Sequence, residues 1–117
     1  MRGFIITGTS SGIGYELCKL LLESPENKVI GISRTQNIEH TNYHHIALDL
    51  NNISEIESID FPSWSNAEQI SLIHNAGWIG PIQKIGNQEL GAIASAYIIN
   101  LVAPAVLSNQ FINIYRN

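Results

Sequence analysis

The sequence predicts a doubly wound α/β fold, a parallel sheet with helices on its faces. Two observations predict it. Short, wholly apolar runs alternate with segments of helical periodicity, the pattern of buried parallel strands joined by crossover helices. The first apolar run also ends in a glycine-rich turn that opens directly into a helix, an arrangement suited to holding a phosphate.

The elements follow in order. Phe4-Ile5-Ile6 is the first strand, ending at Thr7-Gly8. A helix is expected from Gly12 to about Ser24, with Ile13, Leu17, Leu20 and Leu21 at three- and four-residue spacings and Pro25 just past its end. Val29 to Ile32 is the second strand and His45 to Leu48 the third, after a polar stretch from Thr35 to Asn42. A short helix from Ile53 to about Ile59 follows Asn51-Asn52, and Phe61 to Trp64 reads as a loop. Ile70 to His74 is the fourth strand. Two helices, Gln88 to Tyr97 and Ile98 to Tyr115, are expected to meet at a bend near Asn100 to Pro104. Right-handed crossovers then give the strand order 3-2-1-4 in one domain, residues 1–117. Strand 4 becomes an edge with nothing beyond it, so the sheet is expected to be unfinished, truncated after the fourth strand and its helices.

Composition narrows the function classes. A hydrophobic content of 44% against 14% charged residues excludes a disordered chain. The net charge of −4, without a basic cluster, argues against nucleic acid as a partner. No apolar run is expected to approach the ~20 residues of a bilayer span, so no membrane partner is expected. The apolar stretch at the N-terminus is too short for a signal peptide, and the single Cys18 cannot form an internal disulfide; both point to the cytoplasm.

The turn Thr7-Gly8-Thr9-Ser10-Ser11-Gly12-Ile13-Gly14 carries the chemistry. Small residues let the backbone pass close to a pyrophosphate, and the helix start offers unpaired N–H groups and a positive dipole end. Gly14 lets the helix approach the sheet. The spacing Thr-Gly-x-x-x-Gly-x-Gly resembles that of the short-chain dehydrogenase/reductase family, whose fold is a Rossmann-like doubly wound sheet. Three further stretches resemble family landmarks in the same order. Asp49-Leu50 is similar to the aspartate that hydrogen-bonds the adenine amine. Asn75-Ala76-Gly77 is similar to the Asn-Ala-Gly turn that lines the cofactor site, and Asn100 to the helix asparagine of the catalytic tetrad. Ser33-Arg34-Thr35 and Gly77-Trp78-Ile79-Gly80-Pro81-Ile82 further resemble the sepiapterin and benzil reductase branch.

The end of strand 2 faces the adenosine ribose in such folds, where an acidic residue selects NAD. This chain has Ser33-Arg34-Thr35 there and no carboxylate. Arg34 offers a permanently charged fork to a 2′-phosphate, with Ser33 and Thr35 as hydroxyl donors, so NADP(H) is the expected cofactor.

The resemblance implies hydride exchange with a small-molecule carbonyl or alcohol substrate, and a homo-oligomer. It also implies a serine on strand 5 and a Tyr-x-x-x-Lys on the following helix, neither of which lies in the expected place among residues 1–117. Asn100 alone of the tetrad is present, where it would anchor a water in the proton relay. Tyr15 and Lys19 have the Tyr-x-x-x-Lys spacing but sit in the helix committed to the pyrophosphate, and are rejected as an active site. His40, His44 and His45 lack a companion cysteine and zinc spacing, so no metal is expected. His74 is expected as a packed strand residue, Cys18 as a buried apolar thiol, and Trp64 and Trp78 as loop aromatics, Trp78 either bordering a substrate pocket or simply packing. Three functions fit these residues: part of an NADP(H)-dependent reductase, a non-catalytic nucleotide-binding module, or an inactive truncated product.

Overall fold

The computed structural model describes residues 1–116. The strands are β1 (Arg2–Thr7), β2 (Asn27–Ser33), β3 (Tyr43–Ala47) and β4 (Gln69–Ile73). All pair in parallel in the order β3-β2-β1-β4, with Ile5 opposite Ile30 on one side and Leu72 on the other. The expected topology is the observed one, and the outer edge of β4 carries no strand among the described residues.

Alternation along β1 divides the core in two. Ile6 faces α1 (Gly12–Leu22), joining Cys18, Leu22, Val29, Ile38 and Tyr43. Ile5 faces the opposite side with Ile30, Ile32, Leu48, Ile56, Phe61, Ala103 and Leu107, where α2 (Ile53–Glu57) and α4 (Ala103–Tyr115) cover the sheet. Strands buried on both faces explain why their sequences are nearly continuous in apolar residues rather than alternating. Cys18 is fully buried, as expected, and burial pushes its thiol up to about 11, so it stays protonated at neutral pH. An aromatic cluster closes the far end of α4. Tyr115 packs against Phe61, Trp64 and Phe111, and its hydroxyl donates to the Pro62 carbonyl at 2.7 Å.

Several boundaries differ from the sequence reading. β3 begins at Tyr43, two residues early, because its register with Val29 to Ser33 of β2 starts there. β2 starts at Asn27 for the same reason, through pairing with Arg2. β4 ends at Ile73, which leaves His74 outside the strand and exposed, with its Nε2 2.8 Å from the Ser108 hydroxyl. His74 is therefore not a packed strand residue.

The last helix differs most. α3 (Leu90–Tyr97) runs without a break through a π-helical turn, Ile98–Val102, into α4. The result is a 26-residue helix, Leu90–Tyr115, with no Asp, Glu, Lys or Arg. An 18-residue stretch within it has a mean hydropathy of 1.9, so by length and composition it could cross a membrane, which corrects the expectation that no such run exists. Scattered Ser and Asn residues and Pro104 had divided it. Its α4 half seats Ala103 and Leu107, both fully buried, on the sheet.

Candidate functional site

The carboxyl ends of all four strands open onto one cleft of about 490 Å³. Of the residues singled out in the sequence, Gly8, Ser10, Ser11, Ser33, Arg34, Asp49, Leu50, Asn75, Ala76 and Gly77 line it. Its position is the one that open parallel sheets use for ligands, where the connections diverge from the central strand.

The floor is the glycine turn. Gly8 and Gly12 take positive φ, +74° and +61°, which only glycine adopts without strain. A side chain on Gly12 would meet nothing within 4 Å, so the turn is open to a ligand. Ser11 at the start of α1 makes no side-chain cap, and the first turn carries no acidic residue. The N–H groups there keep both their hydrogen-bonding capacity and the positive end of the helix dipole. The residues present therefore fit a pyrophosphate. Ile13, with its side chain 79% exposed, contributes backbone only.

The turn is fastened to the segment after β4. The Thr7 hydroxyl oxygen accepts the N–H groups of Asn75 at 3.1 Å and Ala76 at 3.0 Å, and the Asn75 amide donates to the Gly8 carbonyl at 3.1 Å. Thr7 was read as the end of a strand, yet it holds two amides of the Asn-Ala-Gly turn. Replacing it with valine should lower stability by about 2–3 kcal/mol, since both amides lose their acceptor. Thr7→Ser, which keeps the oxygen, should stay within about 1 kcal/mol of the parent. Urea unfolding midpoints of the two variants test this; equal midpoints would mean that the fastening contributes nothing.

The ribose side is built differently from the sequence reading. Ser33 is buried and its hydroxyl donates to the Thr35 carbonyl at 2.9 Å, so its proton braces the turn rather than facing a phosphate. Arg34 and Thr35 are exposed. Arg34 and Asp49 are the charged side chains of the cleft lining. Asp49 accepts the Asn51 N–H at 2.9 Å through one oxygen, which leaves the other for a donor such as an amine. Thr9 lies beneath the cleft, fully buried, 3.4 Å from the Ser33 hydroxyl and 3.3 Å from that of Tyr43. Burial raises the Tyr43 phenol above its ordinary value, so Tyr43 remains a neutral hydroxyl.

Asn100 does not line the cleft. Its side-chain oxygen accepts the Trp78 N–H at 2.8 Å and its amide donates to the Trp78 carbonyl, locking the loop after Gly77 to the π turn. The side chain is thereby held at both its oxygen and its nitrogen. Pro104, four residues on, has no N–H, so the α-type bond to the Asn100 carbonyl is missing from this stretch.

Several lining residues escaped the sequence reading. Ile32, next to last in β2, and Leu48, just past β3, lie at the floor, while Ser95 and Ile99 enter from the last helix one turn apart. Asn51 bridges to Ser95 at 3.1 Å. The i, i+4 spacing of Ser95 and Ile99 could have placed them together, though nothing local tells which side of the helix meets the cleft. Trp78 also lines the site. Tyr15 and Lys19 stay outside it, with the ammonium 5.1 Å from the ring centroid in a cation–π contact. Among the described residues no three of His, Cys, Asp and Glu gather as metal ligands.

Comparison with known proteins decides the family. No established family profile matches the chain. A curated relative, benzil reductase ((S)-benzoin forming) of Bacillus subtilis, is 35% identical over 120 residues, covering 95% of this chain and 48% of the relative. The chain belongs to the short-chain dehydrogenase/reductase family, with its likeness to the benzil reductase branch. It spans about half the length of the curated relatives it matches. The structure of an NADPH-bound carbonyl reductase from chicken fatty liver superimposes with a TM-score of 0.74 at 23% identity, covering 97% of this chain and 48% of that one. A 4-hydroxyisoleucine dehydrogenase complexed with NADH gives 0.80 at 24%, covering 97% and 49%. At these identities the two structures establish a shared Rossmann-like fold.

Proposed function

We propose that this chain is the NADP(H)-binding portion of a cytoplasmic carbonyl reductase or alcohol dehydrogenase whose catalytic serine and Tyr-x-x-x-Lys lie outside residues 1–117. The observation that carries the reading is Arg34, exposed at the rim of the cleft just past β2, where no carboxylate stands beside it to accept a ribose 2′-hydroxyl. Solved neighbours of the same fold hold NADPH in one case and NADH in another, so the choice between them rests on the chain's own residues.

Each residue then has a task. The first turn of α1 binds the pyrophosphate through backbone N–H groups. Arg34, with the Thr35 hydroxyl, binds the 2′-phosphate. Asp49 accepts the adenine amine, and Asn75-Ala76-Gly77 form the wall toward the nicotinamide. Asn100 holds the Trp78 loop. The bound cofactor supplies hydride to a carbonyl carbon.

Titration of the chain with NADPH and with NADH, together with an assay of the natural protein from its source with benzil, tests this. The expected result is preferential NADPH binding by residues 1–117 without turnover, and NADPH oxidation by a natural protein heavier than 12.9 kDa. Preference for NADH would overturn the cofactor assignment. A natural protein of 12.9 kDa that binds NADPH without oxidising it would make the chain a nucleotide-binding module instead.

A further inference from the structure

A ring of polar groups lies beneath the cleft, and the proposed function makes no use of it. Its members come from three places: Thr9 in the glycine turn, Ser33 at the end of β2, and Tyr43 and His45 on β3. The Tyr43 hydroxyl is 2.8 Å from His45 Nδ1, and His45 Nε2 is 3.0 Å from the Ser33 carbonyl. A carbonyl only accepts, so Nε2 carries the proton; in the neutral ring Nδ1 then accepts from the Tyr43 O–H. Thr9 stands between the two ends, 3.3 Å from the Tyr43 hydroxyl and 3.4 Å from that of Ser33, and its single proton serves one of them at a time.

The sequence makes room for this ring at one position. Tyr43 and His45 are two apart on β3 and share a face. They look across Gly31 of β2, which pairs with His45. A methyl group on Gly31 would overlap the Tyr43 hydroxyl and come within 2.6 Å of the Thr9 oxygen. Gly31 is not among the residues with positive φ, so its smallness serves this space and not a turn.

Ser33 is held from every side as a result. Its carbonyl accepts both His45 and the Leu48 N–H at 3.1 Å, and its hydroxyl is committed to Thr35. The next residue along is Arg34. We propose that Tyr43 and His45 are positioning residues that hold the Ser33-Arg34-Thr35 turn in register with the glycine turn, so that one ligand's 2′-phosphate and pyrophosphate are met together. This rests on the NADP(H) reading above. Neither residue touches the ligand; both act through Ser33 and Thr9, whose bonds they complete.

The test separates the two phosphates. Calorimetric titration of the chain with adenosine 2′,5′-bisphosphate and with adenosine 5′-monophosphate gives a preference ratio that reports on the Arg34 turn. Tyr43→Phe and His45→Leu should each lower affinity for the bisphosphate roughly five- to tenfold while changing the monophosphate less than about twofold. His45→Gln, whose amide keeps a donor toward the Ser33 carbonyl, should recover most of the preference. Tyr43→Phe removes a single oxygen, and its thermal midpoint checks that it is folded. If the parent prefers the bisphosphate and the variants keep that preference in full, the positioning role is overturned and the NADP(H) reading stands. Equal losses for both ligands would also overturn it, leaving a merely structural ring. A parent with no preference would overturn the NADP(H) reading, and the positioning role with it.

Discussion

An Arg34→Glu chain should bind NADPH about thirtyfold or more weakly while its affinity for NADH hardly moves. A charge-assisted hydrogen bond to phosphate contributes about 1.5–3 kcal/mol, and Arg34 is exposed, so the lower part of that range applies to its loss. The introduced carboxylate then repels the same phosphate and offers NADH an acceptor for its ribose hydroxyls. Both effects weaken NADPH and neither weakens NADH, which is why their ratio is the quantity to measure. Raising the salt concentration should narrow the gap, because a contact at the rim of the cleft is screened. Parallel fluorescence titrations at low and high salt give both numbers. Equal losses for NADPH and NADH would mean that Arg34 does not read the phosphate.

Gly14→Ala should be strongly damaging although it adds a single methyl. Inside a helix the change from glycine to alanine ordinarily stabilises by about 1 kcal/mol. Here the added carbon would overlap the Gly8 carbonyl oxygen and the Asn75 amide, and lie 2.9 Å from the Gly8 carbonyl carbon. Those atoms are the fastening between the glycine turn and the Asn-Ala-Gly turn, so α1 must move away from the sheet. Overpacking of this kind costs roughly 1–3 kcal/mol on top of the forgone propensity gain. The expected result is a lower thermal midpoint together with loss of NADPH binding. Gly91→Ala is the control: it lies in α3 with nothing within 4 Å, and should raise stability by about 0.5–1 kcal/mol. The same substitution with opposite signs at two helical positions isolates the close approach; a neutral Gly14→Ala would dismiss it.

Much of this molecule was legible in its sequence, and the reason lies in distance along the chain. The glycine turn, Asp49 and Asn75-Ala76-Gly77 each act within a few residues of a strand end, and a strand end is marked locally by apolar runs meeting small or polar residues. The strand order followed from connection handedness alone. What escaped was set by partners remote in sequence. Tyr43 fell between the polar stretch ending at Asn42 and the strand expected from His45, because only its pairing with Val29 makes it a strand residue. His45 was weighed as a metal ligand, and its actual partners, Tyr43 and Ser33, are fixed by register across two strands. Ser33 was expected to give its proton to a phosphate; the neighbouring Thr35 carbonyl takes it. Ser95 and Ile99 reach the cleft only because the helix lies where Leu107 and Ala103 seat it.

That helix raises a question of phase. Ser95, Ile99, Ala103 and Leu107 follow one another at four-residue steps, and all four sit on its sheet side, two at the cleft and two in the core. A regular α-helix turns about 100° per residue, so each four-residue step drifts about 40° and three steps drift about 120°. The first and last of these residues would then point a third of a turn apart. The π turn between Ile98 and Val102 holds one residue more than an α turn, absorbing about 100° of rotation, nearly the whole drift. It works as a vernier: a single irregular turn keeps the ligand-facing part of a 26-residue rod aligned with the part anchored in the core.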